Sequence, residues 1–256
     1  MKFSMLASSS SGNCSVVQAA GTTLLIDAGI SARRTFKGLK ALELGERVDG
    51  VLVTHEHSDH CKELAMIAKR CRCPIYATPD TLTCVEYYLE GGETLIPLTK
   101  GKPLALNGLE VVAFPLPHDA VDPCGFTVFD GHRRVGIATD LGSLTDEVQR
   151  QLSGCDAVSL EANHDLDLLL NGSYPPYLKE RIQSNVGHLS NDQAGQALSL
   201  MAFKDRLKHV ILAHLSEHNN RPDLALRTVN KCLHTYEIRL NVHLSHKVNP
   251  SAVIEL

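Results

Sequence analysis

The chain reads as an α/β protein on two observations. Short apolar runs rich in β-branched and aromatic side chains alternate with segments of helical period along the whole length. Histidine and aspartate, the residues best suited to chemistry, repeatedly fall directly after those apolar runs. That placement is the one expected for a site built along one edge of a sheet. A chain of 256 residues can bury a large core, and 43% hydrophobic against 21% charged residues is ordinary for a globular protein. No low-complexity linker or charge block divides it, and Gly91-Gly92 reads as a turn. One catalytic domain over residues 1–256 is therefore expected.

The elements follow in order. Val16-Val17-Gln18 and Thr22 to Ile26 flank Gly21 and read as a hairpin, and Val48 to Val53 reads as a buried strand. Glu63 to Ala68 has helical period. Pro74 to Thr78 reads as a strand, and a helix follows from about Asp80 to Leu89. Leu109 to Phe114 is another strand. Gly125 to Phe129 and Val135 to Thr139 pair across a loop containing Asp130-Gly131. Asn191 to Phe203 is helical, capped by Ser190 or Asn191. Val210 to Ala213 is apolar, and Ile238 to Leu244 is strand-like.

The most informative stretch is Thr54-His55-Glu56-His57-Ser58-Asp59-His60, where an apolar strand ends and spills ligands into a loop. Imidazole and carboxylate bind first-row divalent metals without thiolate chemistry. In extended chain His55 and His57 point the same way and can grip one ion. Asp59 and His60 fall beyond, placed to reach a second ion. The competing reading is a solvated histidine-rich loop.

The pattern His-x-His-x-Asp-His after an apolar strand resembles the signature of metallo-β-lactamase-fold hydrolases. The resemblance extends to Asp27 after Leu24-Leu25-Ile26, His118 in Pro115-Leu116-Pro117-His118, Asp140 after Val135 to Thr139, and His214 after Val210 to Ala213. It implies a four-layer αβ/βα sandwich, two mixed sheets with helices outside. It also implies that His55, His57 and His118 hold one metal, that Asp59, His60 and His214 hold the other, and that Asp140 bridges them. Two such cations lower the pKa of a shared water, generate hydroxide near neutral pH and neutralise a phosphate. Zinc, manganese and iron all suit these donors. Asp27 is then an orienter of a ligand histidine or loop, or simply a turn aspartate before Gly29.

A narrower resemblance, to the WalJ/YycJ-type branch, rests on further segments. They are Leu6 to Cys14, Glu161-Ala162-Asn163-His164-Asp165, Gly187-His188-Leu189-Ser190-Asn191 and His214 to Asn220. The branch implies a metal-dependent phosphodiesterase, above all a 5′-to-3′ DNA exonuclease of the bacterial cytoplasm. Besides Asp59 and Asp140, His164 and His188 are then candidates to bind a terminal phosphate or protonate the leaving oxygen; the alternative for each is a structural histidine. Asn163, Ser190 and Asn220 either donate to phosphate oxygens or serve turns and caps.

Net charge −4 and a pI near 6.3 lack the broad basic signature of many nucleic-acid binders, so any phosphate contact is local. Arg33-Arg34 with Lys37 and Lys40 is the first candidate patch, and Lys179, Arg181 and Arg221 are weaker ones. The eight cysteines have irregular spacing and no Cys-x-x-Cys, which points to reduced, mostly buried thiols. Cys61 beside His60 and Cys124 near His118 are minor ligand candidates. The start, Met1 to Ala7, is too short an apolar stretch for a signal peptide, and no window approaches a spanning helix. Hydrolysis of a small cyclic or nucleotide phosphodiester is the alternative reaction. A glyoxalase II-type thioester hydrolase is a third choice, disfavoured by the strand-like tail. A metal-binding scaffold without activity is the non-enzymatic reading. Oligomeric state leaves no trace in the sequence.

Overall fold

In the computed structural model, residues 1–202 and 206–256 are described, and they form two mixed sheets packed face to face with helices on both outer sides. Strands and helices are numbered in chain order. The first sheet runs β14 (Ile254–Glu255), β1 (Lys2–Ala7), β2 (Cys14–Ala19), β3 (Thr22–Ile26), β4 (Gly50–Leu52), β5 (Ile75–Ala77) and β6 (Leu95–Pro97). The second runs β13 (Asn241–Leu244), β12 (His209–Ala213), β11 (Ala157–Glu161), β10 (Arg134–Ala138), β9 (Cys124–Phe129), β8 (Leu109–Pro115) and β7 (Leu104–Leu106).

Each sheet is antiparallel in its early strands and parallel in its later ones. The switch falls at β3 in the first sheet and at β10 in the second. Parallel neighbours need a crossover, and the helices supply it. α1 (Ala32–Ala41) joins β3 to β4, and α2 (Ser58–Cys61) with α3 (Leu64–Cys71) joins β4 to β5. α4 (Pro79–Val85) joins β5 to β6. In the second half α5 (Asp146–Leu152), then α6 (Leu166–Asn171), α7 (Pro176–Gln183) and α8 (Asn191–Ala202), then α9 (Pro222–Thr235) play the same part.

Side-chain alternation sorts the core into layers. Leu24 and Ile26 of β3 face the second sheet and meet Phe126, Val128 and Ile137. Leu25 points the other way, among Phe36, Leu39, Leu64 and Ile67 under the outer helices. Leu160 and Leu212 likewise pack beneath Val148, Leu198 and Val229.

The hairpin about Gly21 and the β9–β10 pair form as expected. The helix from Asp80 is shorter than its period suggested: it ends at Val85 and a single 3-10 turn over Glu86–Tyr88 follows. In the tail only Asn241–Leu244 is strand, parallel to β12. The expected span of α8 reaches Phe203, which lies outside the described residues. No helix among the described residues is long and apolar enough to cross a membrane.

Candidate metal centre

The parallel strands of both sheets end at one rim, and the polar side chains gather there. Asp27, Asp140 and His214 each sit just past a strand in the left-handed region, at φ of 64°, 61° and 53°. Non-glycine residues rarely adopt that conformation, and it turns the chain so sharply that the side chain swings back over the strand end. Three site residues share this device. Gly29 solves a related problem: its Cα lies so close to the Asp59 carbonyl that a Cβ would stand 1.5 Å from the oxygen. The tight fit carries the bonds Asn13 N to Asp59 O and Ala28 N to His60 O, at 2.8 and 2.7 Å. They clamp the ligand loop onto the Asp27 turn. Gly29→Ala is therefore expected to displace the Ser58–Cys61 turn, with at least a tenfold loss of metal affinity (~1.4 kcal/mol, one decade), measurable by chelator competition.

All seven expected ligands converge. His55, His57 and His118 form one group, Asp59, His60 and His214 a second, and His55 and His60 a third with Asp140; in each, one donor atom per residue lies within 4.8 Å of the others. Asp140 touches both halves. Its Oδ2 is 3.1 Å from His60 Nε2, and its Oδ1 is 3.2 Å from His214 Nδ1 and 3.9 Å from His118 Nε2.

Four of the five histidines are held in a common way, the exception being His57, whose Nδ1 faces His55 Nε2 at 3.1 Å. An acceptor at Nδ1 leaves Nε2 free to face the cluster. His60 Nδ1 meets Asp27 Oδ2 at 2.7 Å, and His214 Nδ1 meets Glu161 Oε1 at 2.7 Å. His118 Nδ1 meets the Gly187 carbonyl at 3.3 Å, and His55 Nδ1 meets Thr54 Oγ1 at 2.9 Å. Thr54 donates in turn to Asp27, which also accepts from the Thr54 N–H. Asp27 thus stands where an orienting carboxylate would.

Buried polar atoms without partners are rare and call for an explanation. Here His118 Nε2, His214 Nε2 and Asp140 Oδ2 are all buried with no hydrogen-bond partner among the described residues, although Asp140 Oδ2 approaches His60. Neutral imidazole nitrogens and carboxylate oxygens converging in this way fit divalent cations.

Burial and the neighbouring carboxylates set the charge of each group. Burial alone would push His60 and His214 down, but the carboxylates of Asp27, Asp59 and Asp140 around His60, and of Asp140, Asp59 and Glu161 around His214, hold both well above the ordinary imidazole range. Burial, reinforced by the charge of His60, drives His55 well below it. Asp59 and Asp140 stay ionised because neighbouring imidazoles outweigh the cost of burial.

Glu161 is the residue that the sequence reading overlooked. It lies at the end of β11, is wholly buried, and accepts from His214 Nδ1, His188 Nδ1 at 2.8 Å, Leu141 N and Leu189 N. Those donors overcome burial and pull its carboxyl down to about 2. A signal was present, since Glu161 closes the apolar run from Ala157 as Asp27 and Asp140 close theirs. Asn13 was also missed; its Nδ2 lies 3.1 Å from both Asp59 Oδ2 and His60 Nε2.

Several expected roles do not hold. Ser190 caps α8: its hydroxyl accepts from Gln193 N while Gln193 Oε1 accepts from Ser190 N, a reciprocal box that gives this serine a structural role. Asn220 is buried, donating to Ala162 O, Asn163 O and Asn191 Oδ1 and accepting from Arg221 N. Asn163 donates to the His214 carbonyl and braces that turn. His164 is buried outside the ligand groups, and burial pushes its pKa down to about 4, which favours the neutral ring. Arg34 ties α1 to the carbonyls of Lys247 and Val248, and no hydrogen bond or ion pair among the described residues joins Arg33 to the cluster. Cys61 donates to the His55 carbonyl and Cys124 to the Thr54 carbonyl, burial raises both thiols, and neither belongs to the ligand groups. His188 does join Asp140, Glu161 and His214.

Residues 22–215 match the family model described as the β-lactamase superfamily domain. The chain belongs to that superfamily. It is 36% identical over 236 residues to the exodeoxyribonuclease YycJ of Bacillus anthracis, covering 91% of this chain and 89% of that one. It is 33% identical over 234 residues to the exodeoxyribonuclease WalJ of Streptococcus pneumoniae, covering 89% and 86%. These matches place it in the WalJ/YycJ branch. Among solved structures, the metallo-β-lactamase fold protein YhfI from Bacillus subtilis superposes with a TM-score of 0.76 at 18% identity, over 100% of this chain and 98% of the other. The superfamily and the four-layer architecture expected from the histidine pattern are thus both found.

Proposed function

We propose that this member of the superfamily is a dinuclear metal-dependent hydrolase of phosphodiester bonds, acting on DNA as a 5′-to-3′ exonuclease. The observation that carries the reading is the convergence of the two ligand groups on Asp140. The similarity to exodeoxyribonucleases over most of both chains supports DNA as the substrate. In this reading His55, His57 and His118 hold one cation, Asp59, His60 and His214 the other, and Asp140 serves both. Zinc and manganese are the foremost candidates, with iron also matching the donors. The free cysteines suit a reducing cytoplasm.

Two divalent cations at this site supply positive charge for a phosphate and acidify water near neutral pH. The chain's own groups do the rest. Asp27 and Glu161 fix the His60 and His214 rings. Glu161 also holds the Nδ1 proton of His188, whose pKa is lowered by burial but raised overall by Glu161 and Asp140. His188 is thereby suited to give a proton to the departing oxygen.

Degradation of 5′-labelled and 3′-labelled DNA tests the reading, with manganese and zinc assayed separately and His57→Ala as control. Metal-dependent loss from the 5′ end that the variant lacks is the expected result. Turnover of bis(p-nitrophenyl) phosphate alone would instead point to a small-diester phosphodiesterase.

Metal uptake should depend on pH with a definite sign. His60 and His214 carry protons in the metal-free protein at neutral pH, and each must present Nε2 unprotonated to a cation. Affinity is therefore expected to rise with pH, by about tenfold per unit for each proton displaced. Calorimetry in buffers of different ionisation enthalpy counts those protons, and a pH-independent affinity would contradict the assignment.

A further inference from the structure

The basic group tied to the metal centre is not the Arg33-Arg34 pair but Arg181, on α7. Its Nε donates to Asp119 Oδ2 at 2.5 Å, and the other oxygen of Asp119 lies 3.4 Å from His118 Nε2. The same wall is stitched further. Asp119 N donates to the Val186 carbonyl, His188 N to the Ile182 carbonyl, and His118 Nδ1 approaches the Gly187 carbonyl. Gly187 is pressed against the end of α7, where an added Cβ would stand 2.2 Å from the Arg181 carbonyl. Helix α7 is thus coupled to two histidines of the site through backbone contacts.

Arg181 is held by Nε alone. Its two Nη groups have no hydrogen-bond partner among the described residues, and the side chain is 48% exposed. A guanidinium anchored through Nε still offers the paired Nη donors, whose spacing matches two oxygens of a phosphate. One helical turn earlier, on the same face, stands Tyr177, which is 72% exposed. An exposed ring beside a fixed guanidinium is the pairing that binds a single nucleic-acid strand, base on ring and phosphate on cation.

We infer that α7 is the strand-binding element of this enzyme, with Arg181 gripping a backbone phosphate next to the scissile one and Tyr177 stacking the adjoining base. Asp119 is the positioning residue that aims Arg181. The inference rests on the nucleic-acid reading of the site, and it names the surface that reading lacked.

Binding separates the two. The full chain loaded with manganese is titrated into a fluorescent, cleavage-resistant phosphorothioate oligonucleotide, followed by anisotropy across a salt series. Tyr177→Ala is expected to weaken binding about tenfold, with Tyr177→Phe restoring it, because stacking needs the ring and not the hydroxyl. Arg181→Ala should weaken binding and lower the salt slope by about one, whereas Arg181→Lys keeps the slope but loses affinity. Asp119→Asn should weaken binding less than Arg181→Ala. Melting temperatures and bound manganese per chain confirm that each variant is folded and loaded. Wild-type-like binding by both Tyr177→Ala and Arg181→Ala would overturn the inference, as would a wild type that binds no oligonucleotide. A wild type that binds through α7 but cuts no DNA would leave the strand-binding element standing and remove the exonuclease reading.

Discussion

Asp140→Asn is expected to silence the enzyme, with kcat/KM on DNA falling at least about a thousandfold, as when a preorganised charge-stabilising group is removed. The carboxylate of Asp140 faces His60 with one oxygen and His214 and His118 with the other. A substitution there affects both proposed cations at once. Asparagine is the better probe than alanine because the residue sits at φ 61°, a conformation that asparagine tolerates and alanine resists. The amide keeps the turn and the shape and removes only the charge. Metal content should drop from two ions per chain to one or fewer, measured by elemental analysis after gel filtration. An Asp140→Asn enzyme that retains two ions and wild-type turnover would show that Asp140 is a spectator between two independent sites.

How much of this was legible beforehand depends on whether a residue's role is local. His55, His57 and His60 announce themselves, because a metal demands particular atoms and the chain supplies them in one short run after β4, while His118 and His214 each follow a later apolar run. Asp27 and Asp140 were readable for a related reason, since each carboxylate ends an apolar run. Contacts made across the fold were not readable. Asn220 looks like a phosphate donor until Ala162, Asn163 and Asn191 are seen around its amide, and that Ser190 caps α8 shows only once Gln193 is in place. The Arg33-Arg34 pair drew attention as a dense basic cluster, yet density in sequence says nothing of position. Arg181 stood among more ordinary helical charges, and only the packing of α7 against the His118 loop brings it to the site. Helix α4 is a smaller case: its apolar period runs on, but the last turn tightens to 3-10 at Glu86–Tyr88, which buries none of those residues.

Glu161 makes the second large prediction, and it divides by substitution. Glu161→Ala would strand four donors, two of them ring nitrogens and two backbone N–H groups. Breaking a buried charged pair on one side costs about 3–5 kcal/mol, so the alanine variant should unfold far earlier in denaturant. Glu161→Gln keeps the shape and one acceptor oxygen but turns an amide against a donor. It should fold, and lose about 10–100-fold in metal affinity because His214 is no longer held by a carboxylate. The pH dependence has a fixed sign. The folded pKa is depressed from the ordinary 4.5 to about 2, so the carboxylate's stabilisation is present above pH 4.5 and is lost as pH falls toward 2. The stability gap between wild type and Glu161→Gln, measured by denaturant unfolding of the metal-free proteins, should therefore be full at pH 7 and narrower at pH 3. A gap that is the same at both pH values would mean that the ionised carboxylate is not what holds these rings. Paired with Asp27 behind His60, Glu161 behind His214 gives each sheet one carboxylate that orients a ligand of the same group. Asp27→Asn should accordingly weaken metal binding by a similar factor, since each substitution frees one of the two rings proposed to hold the same ion.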